Sequence, residues 1–393
     1  MMKNLALYFD YAATTPVDER VIEVMVQCLG RSGTFGNPAS NSHAYGREAR
    51  SAVDIARQQV ADLVGAQAEQ VIWTSGATES NNLALKGVAQ GYAERHGRTS
   101  GHIITSLIEH KAILDTAHQL QLAGVEVTYL APDANGLIAP EAVTAALRED
   151  TFLVSLMLVN NELGTLTDIA QIGRHVREHG ALFHVDAAQG AGKVRIDLAE
   201  LAVDLMSFSA HKIYGPKGIG ALYVGPRAEQ RVEAQIHGGG HESGLRSGTL
   251  ATHQIAGMGA AFALAQTLFD EETAHIQRLN ELLCTQLADV SGVRINGDAT
   301  QRIPHTLSLT FGNSDLDIAV LGHGLAFSST SACNSAKNTP SHVLLALGHD
   351  AKAASQTIRL SLGRFTTQEE IERAASLIKA ARVQPAFWAV AQS

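Results

Sequence analysis

Two short segments hold residue types that do chemistry in pairs. Asp186-Ala187-Ala188-Gln189 closes an apolar run over residues 181–185, and Ser209-Ala210-His211-Lys212 closes another over 203–208. Both runs read as buried strands, so an acid and a lysine stand at the ends of neighbouring strands. Desolvating such groups is costly unless something uses their charge. One cofactor needs this pair: pyridoxal phosphate takes a lysine as a Schiff base and an acid on its pyridine nitrogen.

Lys212 competes for the Schiff-base role with Lys217, which sits in the turn-forming run Tyr214-Gly215-Pro216-Lys217-Gly218-Ile219-Gly220. Lys212 is preferred because it directly follows a buried strand, where desolvation favours the neutral amine. The glycine run precedes a strand instead of opening a helix, so it is not a dinucleotide fingerprint. Asp186 would keep the pyridine nitrogen protonated, and Gln189 lies within reach of the phenolic oxygen. His110, after the strand at 102–105, is placed to stack on the ring and shuttle protons, although one of 17 histidines is more often structural. Asn160-Asn161-Glu162 also ends an apolar strand and offers an amide to cofactor or substrate.

A phosphate cradle is expected at Ser75-Gly76-Ala77-Thr78-Glu79-Ser80, between a strand at 71–74 and a helix-like stretch at 81–85. Free N–H groups and the helix dipole favour an anion there. An ordinary helix start capped by Ser or Thr, with Glu79 in the first turn, would read the same way. Ser209 and His211 offer further donors to the same anion. No metal site is evident; glycines between His237 and His241 argue against a rigid ligand pair.

Of three cysteines, Cys28 and Cys284 lie in amphipathic helical patterns and read as small core residues. Cys333 sits in Ser331-Ala332-Cys333-Asn334-Ser335, a small, polar loop with nothing to bury a thiol. Exposure favours a reactive thiolate.

The elements that position these groups follow from periodicity. Apolar runs at 71–74, 102–105, 125–130, 152–159, 181–185, 203–208 and 220–224 alternate with helical patterns such as 169–179. Continuous apolarity suggests strands covered on both faces, the α/β signature of a mostly parallel seven-stranded sheet. Ligands in such sheets bind beyond the carboxyl ends of the strands. After about residue 262 the pattern changes to a long helix at 271–290, short strands at 293–295, 305–311 and 358–360, and helices near 341–348 and 368–382. The expected division is a large domain, 16–262, and a smaller α+β domain of 1–15 and 263–393. With 393 residues, two domains are the prior.

Composition narrows the function classes. The chain is 45% hydrophobic and 18% charged, which is globular, and no apolar stretch approaches the roughly 20 residues of a membrane span. A net charge of −9 argues against direct nucleic-acid binding. The start has too short an apolar core for a signal peptide, and three cysteines are no disulfide framework, so the cytoplasm is expected.

With these residues assembled, the chain resembles the cysteine desulfurases of the class-V aminotransferase family, and is most similar to the bacterial housekeeping members that serve iron–sulfur cluster assembly. The motifs run from Tyr8-Phe9-Asp10-Tyr11-Ala12-Ala13-Thr14-Thr15-Pro16 to Arg359-Leu360-Ser361-Leu362-Gly363-Arg364-Phe365. They include Gly36-Asn37-Pro38-Ala39-Ser40, Gly238-Gly239-Gly240-His241-Glu242, Arg246-Ser247-Gly248-Thr249 and Ser331-Ala332-Cys333. The resemblance implies a pyridoxal-phosphate-dependent, fold-type-I homodimer with Lys212 as the Schiff-base lysine. It implies Ala77, Thr78, Ser209 and His211 around the phosphate, with Thr249 reaching it from the other subunit. Asn161, Asp186 and Gln189 would bind the ring, and Arg359, with Asn37 and Asn161, the substrate. Lys212 and His110 would move protons, and Cys333 would take sulfur from L-cysteine as a persulfide, leaving L-alanine. Acceptors would be an iron–sulfur scaffold or a thiolation carrier. Cys333 would share at most a transient cluster with such a scaffold.

Three departures stand against the family pattern. Housekeeping members carry a longer C-terminal tail that helps dock the scaffold. Thr330 and Asn334 replace an expected glycine and threonine, and Ile108 replaces a commoner polar residue. Two other readings compete. One is a different reaction on this scaffold: selenocysteine lyase, an aminotransferase or cysteine-sulfinate desulfination. The other is a sulfur-relay subunit with little turnover. Cys333 speaks against transamination, which needs no thiol; intact Lys212, His110, Cys333 and Arg359 speak against a relay alone.

Overall fold

The computed structural model describes residues 6–97, 100–312, 316–329 and 340–382. A short strand β1 (Leu7–Tyr8) and helices α1 (Glu19–Gln27) and α2 (Ala44–Val64) lead into an alternating stretch. This comprises β2 (Val71–Thr74), α3 (Ala77–His96), β3 (His102–Ser106), α4 (Lys111–Leu122), β4 (Glu126–Leu130), α5 (Pro140–Ala146), β5 (Thr151–Met157), α6 (Ile169–His179), β6 (Leu182–Asp186), β7 (Leu205–Ser209) and β8 (Gly220–Val224). The sheet order is β2-β8-β7-β6-β5-β3-β4. Only β8 runs against its neighbours, while the β7-β6-β5-β3-β4 pairings are parallel. The chain is α/β with a mostly parallel seven-stranded sheet, as expected.

The strands read as continuous apolar runs because alternate residues feed two cores. Val71 and Trp73, Ile104, Phe183 and Val185, Met206 and Phe208 face a cluster shared with α2 and α6. Ile72, Ile103, Leu182, Leu205 and Leu222 face a second cluster built on α3 and α4. Burying each large apolar side chain contributes about 1.5–3 kcal/mol before conformational entropy is counted. One-way strand direction then brings the ends of β2, β5, β6 and β7 to a single edge.

The remainder contains α7 (Thr252–Leu287), β9 (Val293–Asn296), β10 (Thr306–Phe311), α8 (Ile318–Gly322), β11 (Leu325–Ala326), β12 (Ser328–Ser329), α9 (His342–Ala346), α10 (Ala351–Ser355), β13 (Thr357–Ser361) and α11 (Gln368–Ala380). Strands β12-β13-β10-β9 form an antiparallel sheet. It shares a third core with Ile276, Leu279, Leu283 and Leu287 of α7 and Ile371 and Ile378 of α11. The N-terminal arm reaches this part too, through parallel pairing of β1 with β11.

Two sequence expectations are corrected. The long helix starts at Thr252 and ends at Leu287, not at 271–290. Its first half was hidden by Gly257 and Gly259. A Cβ on Gly259 would stand 2.5 Å from Ala56 Cα of α2, so the glycine serves a helix–helix contact and does not break the helix. The helix after the cradle turn begins at Ala77 and runs to His96, well beyond 81–85.

Candidate active site

The cradle turn is not an ordinary capped helix start. The residue preceding α3 is Gly76, at φ 151° and ψ 175°, where a side chain is disfavoured, and no side chain caps the first turn. Ser75 N–H instead donates to the Glu79 carboxylate at 2.7 Å, which Arg246 holds from outside at 2.8 Å. Ala77 and Thr78 open the helix beside Ser209, and all three line one cavity of about 560 Å³. The Ser209 hydroxyl is buried and has no hydrogen-bond partner. Buried polar groups are rarely left so, and an anion bound at the helix start would satisfy this one.

The same cavity gathers Ala12, Ala13, His110, Asn161, Asp186, Gln189, His211, Lys212 and Arg359. A larger cavity of about 880 Å³ lies at the other edge of the sheet, among Tyr92, Phe152, Arg95 and Arg231. It contains none of the predicted residues, so the smaller cavity is the candidate site.

Asp186 is the last residue of β6 and is buried. Its Oδ2 accepts from Asn81 Nδ2 at 2.8 Å, and its Oδ1 from Ala188 N at 2.9 Å. Each oxygen keeps capacity for a protonated ring nitrogen. Lys212 follows β7 in a short 3-10 turn, Ala210–Lys212. Its Nζ donates to the carbonyls of Ala12 at 2.6 Å and Ala13 at 3.1 Å. Burial, reinforced by the Arg359 charge and opposed by Asp186 and Asp10, pushes the ammonium down to about 8. Lys217 lines the same cavity but is exposed.

His110 precedes α4, with Nδ1 accepting from Ala112 N at 3.1 Å. That leaves the proton of the neutral ring on Nε2. Burial lowers its pKa; Asp186 opposes this, and Lys212 and His342 add to it. His211 is lowered to about 4, mainly by burial and then by Lys212, Lys217 and Lys193. Its Nδ1 lies 3.2 Å from Thr14 Oγ1.

Arg359 enters from β13. Its terminal nitrogens donate to Asn161 O at 2.7 Å, Asp10 Oδ1 at 2.9 Å and Ser328 Oγ at 2.7 Å. Its buried Nε has no partner, and neither has the buried Asn161 Oδ1. A cation with a free buried donor, facing a cavity that also holds a lysine, suits a carboxylate. Gln189 Nε2 donates to Ala12 O at 2.7 Å.

Two predicted residues are not brought to this cavity. Asn37 and Thr249 are exposed and lie outside its lining; the Asn37 side chain accepts from Ala39 N at 2.9 Å. Cys333 lies outside the described residues, as do Thr330 and Asn334 of the same loop. His237 is exposed, and His241 Nδ1 accepts from Gly248 N at 3.3 Å. Among the described residues, no group of three or more His, Cys, Asp or Glu is arranged for a metal, and no helix is long and apolar enough to cross a membrane. Sequence reasoning missed Asn81, Asp10 and Lys193 as partners of the site. It also missed Glu242, a buried carboxylate that Arg57 grips at 2.8 Å through both terminal nitrogens and that accepts from Trp73 N at 2.8 Å.

Comparison with known proteins identifies the family. The sequence profile of the aminotransferase class-V family matches residues 7–374. Cysteine desulfurase IscS of Azotobacter vinelandii is 56% identical over 373 residues, spanning 95% of this chain and 91% of the relative. Its counterpart in Pseudomonas syringae pv. tomato is 54% identical over 376 residues, spanning 95% and 92%. A solved structure described as SspA in complex with cysteine superposes with a TM-score of 0.80 at 39% identity, covering 92% of this chain and 99% of the other.

Proposed function

Because the chain belongs to the class-V aminotransferases and, within them, to the cysteine desulfurases, we propose that its cavity binds pyridoxal 5'-phosphate and that Cys333 receives the sulfur of L-cysteine. One observation carries the reading: a lysine depressed to about 8, a buried aspartate and an unpartnered buried serine hydroxyl share one cavity at the sheet edge. Ala77, Thr78, Ser209 and His211 would hold the phosphate; Asn161, Asp186 and Gln189 the ring; Lys212 the aldehyde carbon. When bound, the cofactor supplies a carbonyl for amine exchange and an electron-withdrawing ring.

The residues then divide the work. Arg359 binds the substrate carboxylate, aided by Asn37 and Asn161. Near pH 8 Lys212 is partly neutral and able to take the proton from the substrate Cα. His110 Nε2–H holds or returns a proton on the substrate side. The Cys333 thiolate attacks the substrate sulfur: the new S–S bond forms as the C–S bond breaks, and the electron pair stays on carbon, where a proton completes L-alanine. Cys333 retains the persulfide, the overall activity being that of a sulfurtransferase (EC 2.8.1.7), and passes it to a scaffold or thiolation carrier.

The same reading takes residues 16–262 as a large cofactor domain, and 1–15 with 263–393 as a small domain carrying the cysteine loop. The protein would act in the cytoplasm, with neither nucleic acid nor membrane as a direct partner. A homodimer accounts for Asn37 and Thr249, exposed here, by placing them at a neighbour's site. Exposed apolar side chains on α1, α2 and their connection, among them Val26, Leu29, Phe35 and Tyr45, support pairing.

Incubation with L-cysteine, assaying sulfide and alanine, tests the reading. Wild type should release both under a thiol reductant. Cys333→Ala should keep the visible absorbance of bound cofactor and release almost no sulfide. Equal sulfide from the two would overturn the persulfide role.

A further inference from the structure

Lys193 is a second lysine behind the cavity that the proposed chemistry does not use. It lies in the turn after β6, and its Nζ donates to Gln189 Oε1 at 2.9 Å. Gln189 Nε2 in turn donates to Ala12 O at 2.7 Å, the carbonyl that also accepts from Lys212. The two lysines are thus joined through one amide and one carbonyl.

This arrangement determines which end of the amide is which. A carbonyl only accepts, so the Gln189 atom facing Ala12 is nitrogen, which turns the oxygen toward Lys193. With Oε1 occupied by Lys193, the second N–H of Nε2 is what Gln189 can offer a ligand in the cavity it lines. Without Lys193, the amide could turn and present an acceptor instead.

We propose that Lys193 is a positioning residue, which fixes the Gln189 amide so that it donates to the phenolic oxygen of pyridoxal phosphate. This rests on the cofactor assignment above. Burial, with Lys212 and Arg359, lowers Lys193 to about 7 against the pull of Glu272. Glu272 is itself held by Arg364 at 2.9 Å. The neighbouring His305 is buried, lowered to about 3 and therefore neutral, with neither ring nitrogen hydrogen-bonded.

The test is a pH titration of the visible absorbance of bound pyridoxal phosphate, with affinity measured alongside. A donor to the phenolic oxygen disfavours the protonated chromophore. Lys193→Met frees the amide to turn its donor away, so the titration midpoint should rise by about one pH unit, and affinity should fall about fivefold, as for one lost hydrogen bond. Lys193→Leu, which also lacks a donor, should shift it in the same direction, which covers failure of the Met variant to fold. Lys193→Arg keeps the donor and should stay within about 0.3 units of wild type. In a Gln189→Leu background, Lys193→Met should add little further shift. An unmoved midpoint, with wild type binding normally, overturns the proposal; so does a full shift in the Gln189→Leu background, since Lys193 would then act without the amide. A wild-type chain that takes up no pyridoxal phosphate overturns the cofactor reading and this inference with it.

Discussion

Glu109 makes the stability of this protein depend on pH in a direction opposite to that of most carboxylates. It sits beside His110, is 1% exposed, and accepts one hydrogen bond, from Ser106 Oγ at 2.6 Å, while its Oε2 has no partner. Burial raises its pKa from 4.5 to about 8; the Ser106 bond opposes this and the Asp186 charge adds to it. The folded chain therefore keeps this proton between pH 4.5 and 8, where the unfolded chain has lost it. Stability is present below the unfolded value and is lost as pH rises toward the folded one, at about 1.4 kcal/mol per pH unit. Across the window the loss is about 5 kcal/mol. Glu109→Gln is neutral throughout and can still hydrogen-bond Ser106. Since unfolding entropy grows with chain length, 1 kcal/mol moves Tm by about 1 °C here. Thermal scans of the two proteins should diverge by about 5 °C between pH 4.5 and 8, in favour of the variant, and run parallel above. Curves that stay parallel from pH 5 to 8 would refute a buried, protonated Glu109.

Three other outcomes follow from the geometry. Ser209→Ala should weaken pyridoxal phosphate about tenfold without lowering Tm, read by equilibrium dialysis; unchanged affinity would remove Ser209 from the phosphate site. The rate of covalent cofactor capture should rise with pH through about 8, the value set for Lys212 by burial, and Lys212→Ala should abolish the visible band; a band that follows Lys217 instead would reverse the assignment. Glu242→Ala leaves the half-buried Arg57 without its carboxylate and the Trp73 N–H without its acceptor, and should cost about 2–3 kcal/mol, seen as a Tm loss that Glu242→Gln only partly shows; an unchanged Tm would mean that the pair adds nothing to the fold.

The sheet was legible because both its faces are apolar, so each strand announced itself as an unbroken run. Strand ends were read one or two residues out, since polar residues such as Ser209 and Asp186 complete the strands. Asp186 and Lys212 stood out for the same reason: a charge that closes an apolar run is expensive to keep there unless a bound group uses it. What could not be read were partners distant along the chain. Asn81 meets Asp186 across 105 positions, and Asp10 meets Arg359 across 349. Nor did the glycine-rich stretch around Glu242 announce its strain: Glu242 and Ser243 hold φ of 51° and 55°, a conformation costly for non-glycine residues and tied down by Arg57. Gly259 misled because a residue that weakens a helix locally can be required by close packing.

The 36-residue helix α7 joins the core beneath the seven-stranded sheet to the core beneath the four-stranded one, a span of roughly 54 Å at 1.5 Å per residue. A helix of that length resists sharp hinging, because a kink would break several of its backbone hydrogen bonds. Lys212 belongs to the structure at one end and Arg359 to that at the other, so their spacing works as a fixed gauge. Under the proposed function, a substrate whose carboxylate and amino group do not match that gauge would be refused by dimension before any reactive group is engaged.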